Sequence, residues 1–250
     1  MKVPPPAASN AKCPYELIHP DLSGKFSVQS LGISYYYLSL IDDKTRFTWV
    51  CFLREKSDAV KCIMDFVKEC KTQAQVTVST ITGGILRFRT DGSGEYVNKE
   101  LREFFQSEGI IHEMSPPYSH ESNGIAEQFN RTITTMARAM LSNGNLPLSL
   151  WSEAINMAVY LKNRIPHKAV KESTPYEALY GNKPLIQHLQ PFRRKCYVHI
   201  PEEQRGPGSK LLPRALEGKF IGYTESTKIF RIYILSQHKV AETRQVRFTP

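Results

Sequence analysis

The 250 residues predict an α/β domain built on a mixed sheet with helices on both faces, followed by a small all-β barrel. Three observations carry this. Up to Ser142, period-two and helical patterns alternate in the order β-β-β-α-β-α-β-α. From Asn182 the texture changes to short alternating runs separated by Gly, Pro and charge clusters. The charge divides at the same place: residues 182–250 hold 13 Lys/Arg against 5 Asp/Glu, +8 of the total +9. Such asymmetry reads as a polyanion-facing surface or as a solubilising one. The expected divisions are a disordered lead-in (1–14), the α/β core (15–181), a basic linker (182–194) and the barrel (195–250).

Residues 16–19, 35–41 and 47–53 are the first three strands, the second apolar enough to be central. Asp42-Asp43-Lys44-Thr45 reads as a tight connection, because Asp bonds its own local backbone. A helix over 57–73 is capped by Ser57 and shows Val60, Ile63, Met64 and Val67 at helical spacing. A strand over 85–89 leads to Asp91, where Gly92 and Gly94 permit a sharp turn. Residues 98–108 form a helix with Leu101, Phe104 and Phe105 inward, closed by Gly109, and 110–114 form the last core strand. Residues 115–122 are a substrate-facing loop. A helix over 123–142 carries an apolar stripe of Ile125, Phe129, Ile133, Met136 and Met140. Residues 148–164 form another, with Trp151 packing inward, stopped by Pro166. Thr174 caps a short helix that Gly181 ends. In the barrel, Phe220, Tyr223, Phe230, Tyr233 and Phe248 are core residues, while Arg193, Arg194, Lys195, Arg205, Lys210, Arg214 and Lys228 face outward.

Several classes are excluded. No apolar run approaches the ~20 residues of a membrane helix. Residues 1–11 lack the apolar core of a secretory signal. Five scattered cysteines point to free thiols in a reducing compartment.

The chemistry-bearing residues are acids on rigid supports. Asp91 ends a strand, Glu127 lies on the helix with 35 residues between the two, and Asp21 follows the first strand. Three converging carboxylates can hold two divalent ions about 4 Å apart, which clamp both oxygens of an in-line displacement at phosphorus. Asn123, Glu127 and Arg131 share one helix face at i, i+4 and i+8, with Asn130 beside them. Taken singly, each acid is a solvated charge and Glu127–Arg131 an ordinary surface pair; their joint placement argues for a site.

The sequence also resembles a known family. His19-Pro20-Asp21-Leu22-Ser23-Gly24, Arg89-Thr90-Asp91-Gly92, Ser115-Pro116-Pro117-Tyr118, Asn123-Gly124-Ile125-Ala126-Glu127, Asn163-Arg164-Ile165-Pro166 and Thr174-Pro175-Tyr176-Glu177-Ala178 are similar, in order and spacing, to the integrases of copia-type LTR retrotransposons. More broadly they are similar to retroviral integrases. The resemblance implies an RNase H-like five-stranded sheet followed by an SH3-like barrel. It implies 3′-processing and strand transfer of DNA, with Asp21, Asp91 and Glu127 as catalytic ligands of two Mg²⁺ (or Mn²⁺) ions. DNA contacts would come from Tyr118, Asn123, Asn130, Arg131, Arg193, Arg194 and Lys195. It further implies DNA and further copies of the chain as partners, no membrane, and work in the nucleus after a cytoplasmic particle. The family's zinc module is not expected here, since only Cys13 could echo it. The sequence departs from the family at Gly24-Lys25, at Asp91-Gly92-Ser93-Gly94-Glu95 and at Ser119-His120-Glu121-Ser122, without removing a ligand. Three alternatives remain: an RNA–DNA hybrid nuclease on the same fold, a non-catalytic nucleic-acid-binding or scaffolding derivative of such an element, and a partial reading frame without activity.

Overall fold

The computed structural model describes residues 11–76, 85–90, 96, 98–114, 124–142, 146–171, 173–202, 213–224 and 228–249. Asp91, Tyr118 and Asn123 lie outside them, as do Arg205, Lys210, the rest of the 115–122 loop and residues 1–10 of the lead-in.

Strands β1 (Leu17–Leu22), β2 (Tyr36–Asp42), β3 (Thr48–Leu53), β4 (Arg87–Thr90) and β5 (Ile111–Met114) form one sheet in the order β3-β2-β1-β4-β5. The first three pair antiparallel; β1, β4 and β5 are parallel. Helices α1 (Asp58–Val76) and α2 (Lys99–Glu108) cover one face, and α3 (Gly124–Ser142) and α4 (Trp151–Lys162) the other. Strand β2 shows why: Leu38 and Leu40 enter the first core, Tyr37 and Ile41 the second. A strand buried on both faces is apolar along most of its length.

Proline 20 shapes the middle of the sheet. The amides and carbonyls of odd-numbered β1 residues face β2, as the Asp43 N–H to Leu17 and Ser23 N–H to Tyr37 carbonyl bonds show. Pro20 therefore turns toward β4, where it has no N–H to give. The β1–β4 ladder pairs only Leu17 and Ile18, with Arg87 and Phe88. The hydrogen-bonded pairing of the two parallel strands ends at Ile18, before Asp21, near the carboxyl ends at which open α/β sheets bind ligands.

The 42–46 connection is a turn, and a buried one. Asp42 accepts from the Tyr15 amide and from both the amide and hydroxyl of Thr45; Asp43 accepts from the Ala11 amide, His19 Nε2 and Arg46 Nη1. Burial alone would raise the Asp43 carboxyl, but the His19 bond, the Arg46 charge and the Ala11 amide together hold it well below the usual carboxylate range.

Some sequence expectations need correction. Helix α1 starts at Asp58, directly after Ser57, and the Asp58 carboxylate accepts the amides of Arg54 and Glu55. The cysteines are not all free: Cys51 and Cys62 are joined, tying β3 to α1 across 6.7 Å between Cα atoms, while Cys13, Cys70 and Cys196 are free. The 148–164 helix is a 3₁₀ turn (Leu148–Leu150) followed by α4, and Asn163 leaves the helix to bond β3. Gly109 closes α2, and Thr174 and Gly181 cap α5 (Pro175–Tyr180), as expected; Asn98 is not the first residue of α2 but its N-cap, accepting the Glu100 amide. Trp151 is buried, stacked on Phe26 and donating to the Val28 carbonyl.

The second sheet is wholly antiparallel, in the order β10 (Val246–Phe248), β6 (Lys195–His199), β7 (Ala215–Tyr223), β8 (Phe230–Ile234), β9 (Lys239–Thr243). Gly218 is required where β7 crosses β8, since a Cβ there would meet Ile232 Cγ2 at 2.5 Å. Phe220, Tyr223 and Ile232 form its core with Met157 of α4; Ile221 and Tyr233 join the α3–α4 core. Glu153 of α4 clasps Arg231 of β8 bidentately, both contacts at 2.7 Å. The 182–194 segment is anchored too: the Tyr223 hydroxyl donates to the His188 carbonyl and accepts from the Gln190 amide.

Candidate active site

Alternation along β1 turns Asp21 toward the α3 face, beside Ser39, its register partner on β2. The Ser39 hydroxyl donates to the Asp21 carbonyl at 3.3 Å. Asp21 is half-buried and lies within β1, one residue from its end.

Helix α3 comes close because its inward stripe contains small residues. Ala126, Phe129, Ile133, Ala137 and Leu141 are buried; Ile125, Met136 and Met140 only flank them. The sequence reading favoured large side chains and so set the stripe too far to one side. Seated this way, α3 places the Asn130 amide against Asp21, with Nδ2 donating to Asp21 Oδ2. An ionised carboxylate only accepts, so the amide nitrogen must face it. The Asn130 Oδ1 atom is buried with no hydrogen-bond partner among the described residues. One turn along, the Tyr37 hydroxyl meets Thr134 Oγ1 at 3.4 Å. Burial pushes the Tyr37 hydroxyl pKa up, and the Asp21 charge adds to this against the Thr134 bond.

Glu127 is exposed three residues before Asn130, about 4.5 Å along the axis. It therefore shares the flank that meets Asp21. Arg131 is exposed beside it. Asp91 follows Thr90, the last residue of β4, and lies outside the described residues; among these, no group of three or more acids, His or Cys is placed to hold a metal.

The proposed DNA contacts differ in availability. Arg193 is exposed. Arg194 is engaged within the fold: Nε donates to the Thr249 carbonyl at 3.0 Å, Nη1 bonds Gln190, and the guanidinium lies over Phe248. Lys195 pairs with Glu217 at 2.9 Å. What sequence reasoning missed is the Asn130–Asp21 bond, which links residues 109 positions apart and leaves no local signal.

The family model described as "Integrase core domain" matches residues 11–120, and that described as "Retroviral polymerase SH3-like domain" matches residues 194–250. The chain is 34% identical over 235 residues to the "Retrovirus-related Pol polyprotein from transposon TNT 1-94" of Nicotiana tabacum, covering 93% of this chain and 17% of that protein. It is 30% identical over 240 residues to the Pol polyprotein from transposon RE1 of Arabidopsis thaliana, covering 96% of this chain and 15% of that one. The chain thus spans about a sixth of these curated relatives. Among solved structures, a chain of the simian T-cell lymphotropic virus intasome in complex with PP2A regulatory subunit B56 gamma has TM-score 0.55 and 17% identity, covering 100% of this chain and 84% of that one. That likeness shows the fold. With an integrase core leading into a retroviral-polymerase SH3-like domain, the chain belongs to the retroviral-type integrases carried by retrotransposon Pol polyproteins.

Proposed function

We propose that this chain is the integrase segment of a copia-type LTR retrotransposon and catalyses 3′-processing and strand transfer of DNA. The observation that supports this best is the Asn130–Asp21 bond on the flank of α3 that also bears Glu127. Asp21 and Glu127, with Asp91, are hard oxygen donors suited to two Mg²⁺ or Mn²⁺ ions. The donor set fits: Asn130 engages one Asp21 oxygen, Glu127 is exposed, and no described cysteine or histidine joins them. When bound, such ions lower the pKa of the attacking water or 3′-hydroxyl and stabilise the leaving oxygen.

The chain's own residues do the rest. Asn130 holds the Asp21 carboxylate in one orientation, and Pro20 leaves no N–H toward β4 beside it. Arg131 presents a guanidinium to a phosphate on the same flank. Arg193 adds exposed positive charge at the entry to the second sheet. DNA is the partner, further copies of the chain complete the assembly, and the nucleus is the place of action. No helix among the described residues is long and apolar enough to cross a membrane.

The test is strand transfer by the full chain and by Glu127→Gln with Mg²⁺. Transfer should be lost in the variant while DNA affinity stays within about threefold, under 1 kcal/mol. Unchanged transfer would remove Glu127 from the site. Salt-sensitive, Mg²⁺-independent binding without cleavage by the unsubstituted chain would instead establish a non-catalytic DNA-binding derivative.

A further inference from the structure

On the opposite flank of α3 lies a cavity of about 100 Å³ lined by Arg46, Lys162, His167, Gln128 and Thr132. Helical spacing separates it from the Asp21 site: Ile125, Gln128, Phe129 and Thr132 form one ridge, Glu127, Asn130 and Arg131 the other, with the buried stripe between. Three cationic or ionisable nitrogen groups from separate segments meet here, and the described lining contains no carboxylate. Arg46 is committed to Asp43 at 3.1 Å. Lys162 is half-buried at the end of α4, with no ion pair or side-chain hydrogen bond among the described residues. His167 Nδ1 accepts the Ala169 amide at 3.2 Å, so the neutral ring carries its proton on Nε2 and offers a donor there. Gln128 adds an amide donor from α3.

We propose that this cavity is a binding site for one phosphate-sized oxyanion, held by the Lys162 ammonium, the His167 Nε2–H, the Gln128 amide and the Arg46 guanidinium. A half-buried ammonium without a counter-charge is costly, and an anion is what would offset it. The field agrees: burial, and then the Lys162 and Arg46 charges, push the His167 pKa down to about 4. The size admits a phosphate group. The phosphate comes either from a nucleic-acid backbone or from free phosphate. Nothing here depends on the Asp21 site.

The test follows the imidazole signals of the seven histidines in the full chain while inorganic phosphate is added in a phosphate-free organic buffer. The expected result is a saturable shift of the His167 signal alone, with Kd on the order of 1 mM. Its titration midpoint should rise as phosphate binds. Lys162→Met should weaken binding about tenfold or more, and Lys162→Arg should restore it. Should Lys162→Met fail to fold, Gln128→Leu at the exposed rim serves, with weakened binding again expected. A short DNA duplex forms the second arm: a Lys162-dependent His167 shift with duplex and none with free phosphate assigns the anion to the nucleic-acid backbone. No saturable shift with either ligand, an equal shift with chloride at matched ionic strength, or undiminished binding in both Lys162→Met and Gln128→Leu would overturn the proposal.

Discussion

Replacing Asn163 tests how the helical layer is fixed to the sheet. Thr48 lies on the edge strand β3, and its amide and carbonyl face away from β2. Asn163 satisfies both: its Oδ1 accepts the Thr48 amide at 3.0 Å and its Nδ2 donates to the Thr48 carbonyl at 2.8 Å. Both residues are nearly sealed, at 4% and 1% exposure. Asn163→Ala therefore strands two buried backbone groups, each costing about 1–3 kcal/mol, and about 3 kcal/mol in total is expected once some water re-enters. Asn163→Asp sharpens the test. The introduced carboxylate still accepts the Thr48 amide but opposes the Thr48 carbonyl, whereas its protonated form can donate to that carbonyl. Its folded pKa is thus raised above the unfolded value of about 3.9. The native state then holds the proton longer, so the variant's deficit relative to the parent shrinks as pH falls toward 4. Urea unfolding at several pH values measures this. A deficit under about 0.5 kcal/mol for Asn163→Ala, or a pH-independent one for Asn163→Asp, refutes the role assigned to the side chain.

Three further outcomes are expected. The His167 midpoint of about 4 means that the unfolded chain takes up a proton the native chain refuses between pH 6.5 and 4. Stability should fall with pH across that window by about 1–2 kcal/mol after solvent screening; His167→Asn should flatten the curve seen by thermal melting in phosphate-free buffer. Glu153→Gln, breaking the Arg231 clasp, should cost about 2–3 kcal/mol, since Arg231 keeps Glu242; a double-mutant cycle with Arg231→Met should show coupling above ~1 kcal/mol. Asn130→Leu should slow strand transfer about 10–100-fold by loosening Asp21, with the urea midpoint little changed.

Local chemistry was what the sequence made legible. The Thr174 cap, the Gly109 and Gly181 stops and the alternating strands each depend on a few neighbouring residues, and the structure has them all. The Asp42-Asp43 turn was readable too, but not its burial, which depends on His19 and Ala11 arriving from elsewhere. The α3 stripe was misjudged because Ala126 and Ala137 contribute by being small enough for close approach, which a count of large apolar residues overlooks. The Cys51–Cys62 link depends on α1 settling over β3, and the retention of Arg194 depends on the chain returning to Thr249; neither has a signature in spacing. Asp21 and Glu127 stood out as acids on rigid elements, yet the group that orients Asp21 became visible only in three dimensions.

Helix α4 serves two hydrophobic cores at once: Ile155 and Ala158 face the first sheet's interior, while Met157 plugs the second. A catalytic fragment trimmed near residue 181 would lay bare Met157, Tyr160 and Leu161 to water and leave Glu153 without its cation. Heating the intact chain should therefore melt both sheets in one transition, and shortened versions should aggregate unless new polar residues cover the abandoned helix face.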